Sequence, residues 1–122
     1  MMSDILELRM KIQSGNVLLR KHWSYRKQEK KMWGLLIRNQ MRLKKTNKAE
    51  KKKYTIMIIS YRKRLLDPDN LVSGIKNLLD SCVDEELIYD DAPDYIDLKV
   101  EQYKAKEEHT MIIRKEIDEN NK

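Results

Sequence analysis

Tyr54-Thr55-Ile56-Met57-Ile58-Ile59-Ser60-Tyr61 is nearly apolar on both of its alternating faces. A strand with that pattern sits inside a sheet, so this segment predicts the central strand of the fold. The chain then turns abruptly polar, through Arg62-Lys63-Arg64 to Asp67-Pro68-Asp69-Asn70. An amphipathic helix follows, with Val72, Ile75, Leu78, Leu79, Cys82 and Val83 on its buried side.

Upstream, Ile5 to Ile12 alternates, with Leu6, Leu8, Met10 and Ile12 on one face and Glu7, Arg9 and Lys11 on the other. That pattern predicts a half-buried strand. Ser14-Gly15-Asn16 is read as a turn. From Trp23 to Leu43 the period becomes helical, and Met32, Trp33, Leu36, Ile37, Gln40 and Met41 trace one face. Lys27, Lys31, Arg38, Arg42 and Lys45 form a basic stripe elsewhere on that helix; Trp23 and Trp33 are read as core rather than base-stacking platforms, with Trp23, beside Lys21 and His22, the one to test by footprinting. Lys44 to Lys53 holds six lysines and one glutamate and is read as a mobile basic loop without a core of its own.

Downstream, Tyr89 to Asp94 reads as a loop, and Tyr95 to Tyr103 alternates with Ile96, Leu98 and Val100 inward. Thr110 to Ile117 is a last strand, reached by a short hairpin connection around Lys104–Glu108, and Asp118–Lys122 reads as a frayed tail. The order is strand, helix, strand, helix, strand, strand. It predicts an α+β fold: a single mixed sheet with two main helices packed on it, in one domain spanning residues 1–122.

The charge is unevenly placed. Residues 1–66 carry 19 Lys and Arg against 4 Asp and Glu, whereas the remainder carries 7 against 16. A basic half suits a polyanion such as nucleic acid, and an acidic half suits one only where its carboxylates are paired or hold cations. A solvated acidic tail on an ordinary basic protein is the plainer alternative. No apolar run approaches the ~20 residues of a membrane helix, so no membrane partner is expected. Asp4 and Glu7 interrupt the first apolar residues, so no signal peptide is expected either. The single cysteine, Cys82, fits a reducing cytoplasm.

Asp67 and Asp69 flank Pro68, which biases Asp67 toward an extended conformation. Side chains at i and i+2 of an extended backbone share a face, so two carboxylates there can converge on a hard cation such as Mg²⁺ or Mn²⁺. The competing reading is an Asp-Pro turn in which Asp69 or Asn70 caps the next helix. D-x-D pairs also serve phosphotransferases and nucleotide-sugar transferases, so the pair alone names no reaction. Lys76 lies seven residues past Asp69, nearly two turns of a continuous helix, where an ammonium can lean back toward the carboxylates. Otherwise it is a surface lysine pairing with Asp80. Gly74 either admits another backbone or marks a later helix start. Asp90-Asp91 is a second acidic pair, ahead of a strand. There is no P-loop, G-x-G-x-x-G or H-E-x-x-H, and His22 and His109 are read as surface residues.

Arg62-Lys63-Arg64-Leu65-Leu66-Asp67-Pro68-Asp69-Asn70-Leu71, then Lys76 with Asp80, then Ile88-Tyr89-Asp90-Asp91, resembles the RusA family of Holliday-junction resolvases. The element order and the basic first helix with His22-Trp23 near its start are similar too. Two features depart from the family pattern. Lys76 stands three residues farther from Asp69 than in the shortest family spacing, and Glu86 replaces a frequent glycine after the helix. The resemblance implies a RusA-like, homodimeric endodeoxyribonuclease that resolves four-way DNA junctions by paired nicks, bacterial or phage-encoded. By it, Asp67, Asp69 and Asp91 hold Mg²⁺, with Asp90 a further candidate, Lys76 is the catalytic lysine, and Asn70 and Asp80 support them. Arg20, Lys21, Arg26, Lys27, Lys31, Arg62, Lys63 and Arg64 are the candidate DNA contacts. Two other readings compete: a non-cleaving junction or single-strand DNA-binding module with a structural acidic loop, and a phosphohydrolase of small phosphate esters.

Overall fold

Alternating apolar residues on strands and an i, i+3, i+4 stripe on helices can be buried together only by laying the helices on one face of the sheet. In the computed structural model, which describes residues 3–20 and 22–117, that is the arrangement. The elements are β1 (Ser3–Leu8), α1 (Gly15–Arg20), α2 (Trp23–Leu43), β2 (Tyr54–Arg62), α3 (Pro68–Gly74), α4 (Lys76–Asp84), β3 (Ile96–Lys104) and β4 (His109–Glu116). They form an α+β fold with one four-stranded mixed sheet in the order β1-β4-β2-β3. Leu6, Leu8, Ile56, Ile58 and Ile112 from the sheet meet Trp33, Ile37, Leu71, Ile75, Leu78 and Cys82 from the helices in one core. Among the described residues no helix is long and apolar enough to cross a membrane.

β2 is central, as its two-sided apolarity predicts. It pairs parallel with β3 and antiparallel with β4. The expected hairpin between the last two strands is therefore corrected: β3 and β4 lie on either side of β2, and their short connection crosses over the end of that strand. Pattern alone shows that two strands follow each other, not that a third has slipped between them. Strand β1 is shorter than expected, ending at Leu8, although Ile12 is still fully buried beyond it.

Ser14-Gly15-Asn16 is a helix start rather than a turn. The Ser14 hydroxyl accepts from the Asn16 N–H at 3.1 Å, capping α1. The expected single helix after Asp67 is two, α3 and α4, meeting at Ile75. Gly74 resolves toward close approach: a Cβ there would run into the carbonyl oxygen of Gln13, and one on Gly15 would run into the Ser73 side chain. Residues 13–15 thus rest on residues 73–74. Gly74→Ala is expected to destabilise the fold by about 1–3 kcal/mol through overpacking, against the helix propensity of alanine. A thermal melt showing stabilisation would overturn that account.

Neither long helix ends on glycine. Lys45 (φ 54) and Glu86 (φ 63) take the left-handed position themselves. Thr46 N–H bonds the Met41 carbonyl and Lys45 N–H that of Arg42, and Leu87 and Glu86 repeat the pattern on Cys82 and Val83. Both ends are Schellman motifs, so the missing glycine is replaced by a strained residue rather than by a different geometry. The lysine-rich loop is likewise anchored, not free. Ala49 N–H bonds the Glu86 carbonyl at 2.7 Å, Lys48 pairs with Glu86, and Lys52 pairs with Glu50 and Glu116. Arg114, only 4% exposed, clamps this region by donating to Asp4, to the Leu87 carbonyl and to the Asn47 carbonyl. Lys21 and the tail 118–122, named above, lie outside the described residues.

Candidate functional site

Helix α2 presents its polar side to α4 and to the α3–α4 junction, and a cleft of about 620 Å³ opens between them. Trp23, Arg26, Lys27, Lys30, Lys76 and Asn77 line it, with no carboxylate in its lining among the described residues. Lys30 reaches Asp84 at 3.2 Å, whereas Arg26, Lys27 and Lys76 make no ion pair among the described residues. The positive field of the cleft is therefore left uncancelled. A second depression of about 460 Å³ continues along the same helices past Lys31 to Arg38 and Glu85. There the basic stripe ends, because Arg38 forms a two-pronged ion pair with Glu85, both bonds 2.8 Å.

The candidate DNA contacts divide accordingly. Arg26, Lys27, Lys31, Lys63 and Arg64 are exposed, and Arg20 is exposed while bonding the Asn16 carbonyl. Arg62 is corrected: it is 6% exposed, pointing inward from β2, and donates to the carbonyls of Ile12 and Arg64. Burial pushes its pKa down. It fastens the segment before α1 to the sheet rather than facing a phosphate. The alternation Ile56, Ile58, Ser60, Arg62 carried that signal, since it continues the inward face of the strand.

Asp67 is the N-cap residue of α3 but makes no side-chain capping bond, and Asp69 lies in the first turn. Both are exposed, as is Asp91; Asp90 is half-buried, and none of the four has an ion-pair partner among the described residues. Asn70 and Asp80 are half-buried on α3 and α4. Lys76 heads α4 and is exposed; with the helix broken at Ile75 it pairs with neither Asp69 nor Asp80 and lines the basic cleft instead. The Ser73 hydroxyl, on that cleft's wall, bonds the Asp69 carbonyl at 2.8 Å, so Asp69 stands one helical turn from it.

The two acidic pairs do not converge within one chain. Leu66, next to Asp67, exchanges two hydrogen bonds with the Gln102 side chain, of 2.9 and 2.7 Å. Ala92, next to Asp91, accepts from Ile96 N–H at 3.1 Å at the opposite end of β3. From Ile96 to Gln102 the strand runs about 20 Å at ~3.3 Å per residue. Ligand oxygens must lie within about 2.0–2.6 Å of a Mg²⁺ or Ca²⁺ ion, so the residues of a single chain do not fit the three-aspartate site that the sequence suggested. Among the described residues no group of three or more His, Cys, Asp or Glu is placed to hold a metal. The physical reason is the parallel pairing of β2 with β3, which carries α3 and α4 back along the sheet and leaves Asp67 and Asp91 at its two ends.

Of two buried titratable groups, Cys82 was expected on the inner side of its helix and Glu29 went unnoticed in the sequence. Cys82 is fully buried and its thiol is pushed up to about 12, so it stays protonated and is no nucleophile. Glu29, 7% exposed on α2, accepts from Trp33 Nε1 at 3.0 Å and Asn77 Nδ2 at 3.4 Å through Oε1, while Oε2 has no partner among the described residues. Burial raises its pKa. As pH rises, the unfolded chain releases this proton first, so the folded state holds the extra proton and stability falls with pH. Glu29→Gln keeps the Oε1 acceptor and removes the titration. Its melting temperature relative to the parent protein is expected to rise as pH increases above the ordinary carboxylate range, and parallel pH profiles for the two proteins would refute this.

Of the two tryptophans read as core, Trp33 is fully buried, whereas Trp23, the one set apart for its basic neighbours, is 60% exposed on the rim of the basic cleft. Trp23 follows the capping residue His22, whose Nδ1 accepts from Ser24 N–H, and so precedes the stripe that faces the core. His22 is exposed as expected, and His109 is half-buried, stacked on Tyr61 with centroids 4.4 Å apart. In comparisons with known proteins, no family model matches the chain. No curated protein matches it significantly.

Proposed function

We propose that this protein is a divalent-metal-dependent, RusA-like endonuclease of branched DNA that acts as a homodimer. The observation that carries the reading is the pairing of an uncancelled basic cleft with two acidic pairs, without ion-pair partners among the described residues, at opposite ends of the same sheet. A two-fold axis crossing the strands sets the Asp67–Asp69 end of one copy beside the Asp90–Asp91 end of the other. Four carboxylates from two chains then supply the hard oxygen donors that one chain does not assemble. Such an ion, when bound, supplies Lewis-acid stabilisation of the phosphodiester. Lys76 adds a positive charge for the phosphate, and Arg26, Lys27, Lys31, Lys63 and Arg64 hold the DNA backbone.

The uncovered face of the sheet supports the dimer. Ile5, Ile113 and Met57 lie in register across β1, β4 and β2, with Met111 and Ile59 in the next row and His109, Tyr61 and Tyr103 in a third. All helices in the core cluster pack on the opposite face. An apolar sheet face flanked by Glu7, Lys99 and Glu101 suits a second copy of itself.

Incubation with a labelled four-way junction and a matched duplex, in Mg²⁺ or EDTA, tests the proposal. Symmetric nicks on the junction alone, lost in EDTA, are expected. Tight, salt-sensitive binding with no product in Mg²⁺ or Mn²⁺ would favour the non-cleaving module, the reading to which the lack of a complete metal site in one chain gives weight. Turnover of a phosphate ester without nicking would favour the phosphohydrolase.

A further inference from the structure

We propose that the cleft beside the start of α2 holds an unpaired nucleotide of a DNA strand, its base stacked on Trp23 and its flanking phosphates held by Arg26, Lys27 and Lys76. This goes beyond nuclease action, since it needs neither metal nor cleavage. Three observations converge. Trp23 is 60% exposed, although indole is among the costliest side chains to leave in water, and no burial rationale explains it. The ammonium of Lys27 stands over that ring, 6.0 Å from its centre, so an incoming base takes the lysine's place on the indole face and the ammonium turns to the flanking phosphate. The cleft, at about 620 Å³, has the size of a small-ligand site and no acidic lining residue among the described residues.

An intact duplex cannot use this platform, because its bases are already stacked on one another. Unpaired strands can, and base–aromatic stacking is tolerant of sequence because every base has a π-face. An acidic peptide would satisfy the cations but would leave the indole unused. Leu18 and Trp23 give the wall an apolar part beside the cations, which suits a base and its phosphates together.

The test is a fluorescence titration of the full chain in EDTA, which makes it independent of any cleavage. Trp33 is buried and cannot stack on a ligand, so quenching by added oligonucleotide reports Trp23. Oligo(dT) is expected to quench the emission. Trp23→Ala should abolish the quench and weaken oligo(dT) binding roughly tenfold, while affinity for a matched duplex changes less than about twofold. Trp23→Phe should keep most of the affinity, because a ring remains. The proposal is overturned if folded Trp23→Ala, checked by circular dichroism, binds oligo(dT) like the parent or loses duplex affinity equally. It is also overturned if poly-glutamate quenches as strongly, or if oligo(rU) is preferred to oligo(dT).

Discussion

Asp69→Asn is expected to abolish nicking of a four-way junction while junction binding survives. The substitution removes one anionic oxygen donor and leaves the basic cleft untouched, so the loss falls on turnover, on the order of 100-fold or more. Asp91→Asn should behave alike, although it lies at the other end of β3. The decisive measurement is a mixture of the two inactive proteins. If each site draws Asp67 and Asp69 from one copy and Asp90 and Asp91 from its partner, a mixed dimer contains one site with no substitution and one with both. Co-refolded chains should then recover nicking to about a quarter of the parent level, the share of intact sites expected from random pairing. No recovery from a mixture shown to contain mixed dimers would refute the shared site, and full activity of Asp69→Asn alone would refute the metal assignment altogether.

Met57→Glu is expected to convert a dimer into monomers. Met57 is half-buried in the middle of the uncovered sheet face, between Ile113 on β4 and Lys99 on β3. In the monomer a carboxylate there stays partly solvated, so the change should cost the fold little, about 1 kcal/mol. Packed against a second sheet, two such carboxylates related by the dyad would be desolvated and would repel, a cost of several kcal/mol. Sedimentation velocity should show a monomer that retains the parent circular dichroism, and nicking should vanish with the dimer. A monomeric parent protein, or a Met57→Glu dimer, would exclude this face as the interface. A monomer that still nicks would exclude the shared site while leaving the DNA-binding reading standing.

The four strands and the long helix were legible because each announced its own period. The two-sided apolarity of Tyr54–Tyr61 marked β2, and the stripe from Met32 to Met41 marked α2, whose limits the structure places at Trp23–Leu43. What misled were residues whose local context resembles one thing and whose tertiary partner makes them another. Gly15 looks like a turn until Ser14 caps the helix it begins. The segment 44–53 looks unanchored until Glu86 and Glu116, distant in sequence, pair with two of its lysines. Arg62 looks like a phosphate contact because it opens a basic run, yet its place on the alternating strand turns it inward. Trp23 and Trp33 show the same limit: both begin as apolar residues on one helix, and only packing shows that the first lies beyond the end of the core.

By itself the sequence determined the class of fold and the order of its elements, because hydrophobic periodicity and turn chemistry act over a few residues and each segment must satisfy them locally. It also determined that the charge divides between a basic first half and an acidic second one. The tertiary structure decided which strands are neighbours, and hence that β2 and β3 run parallel with their acidic pairs at opposite ends. It also decided which cations are spent on internal pairs and which remain to face a cleft. Strand order and long-range pairing depend on contacts between residues far apart in the chain, and no local pattern encodes their distances.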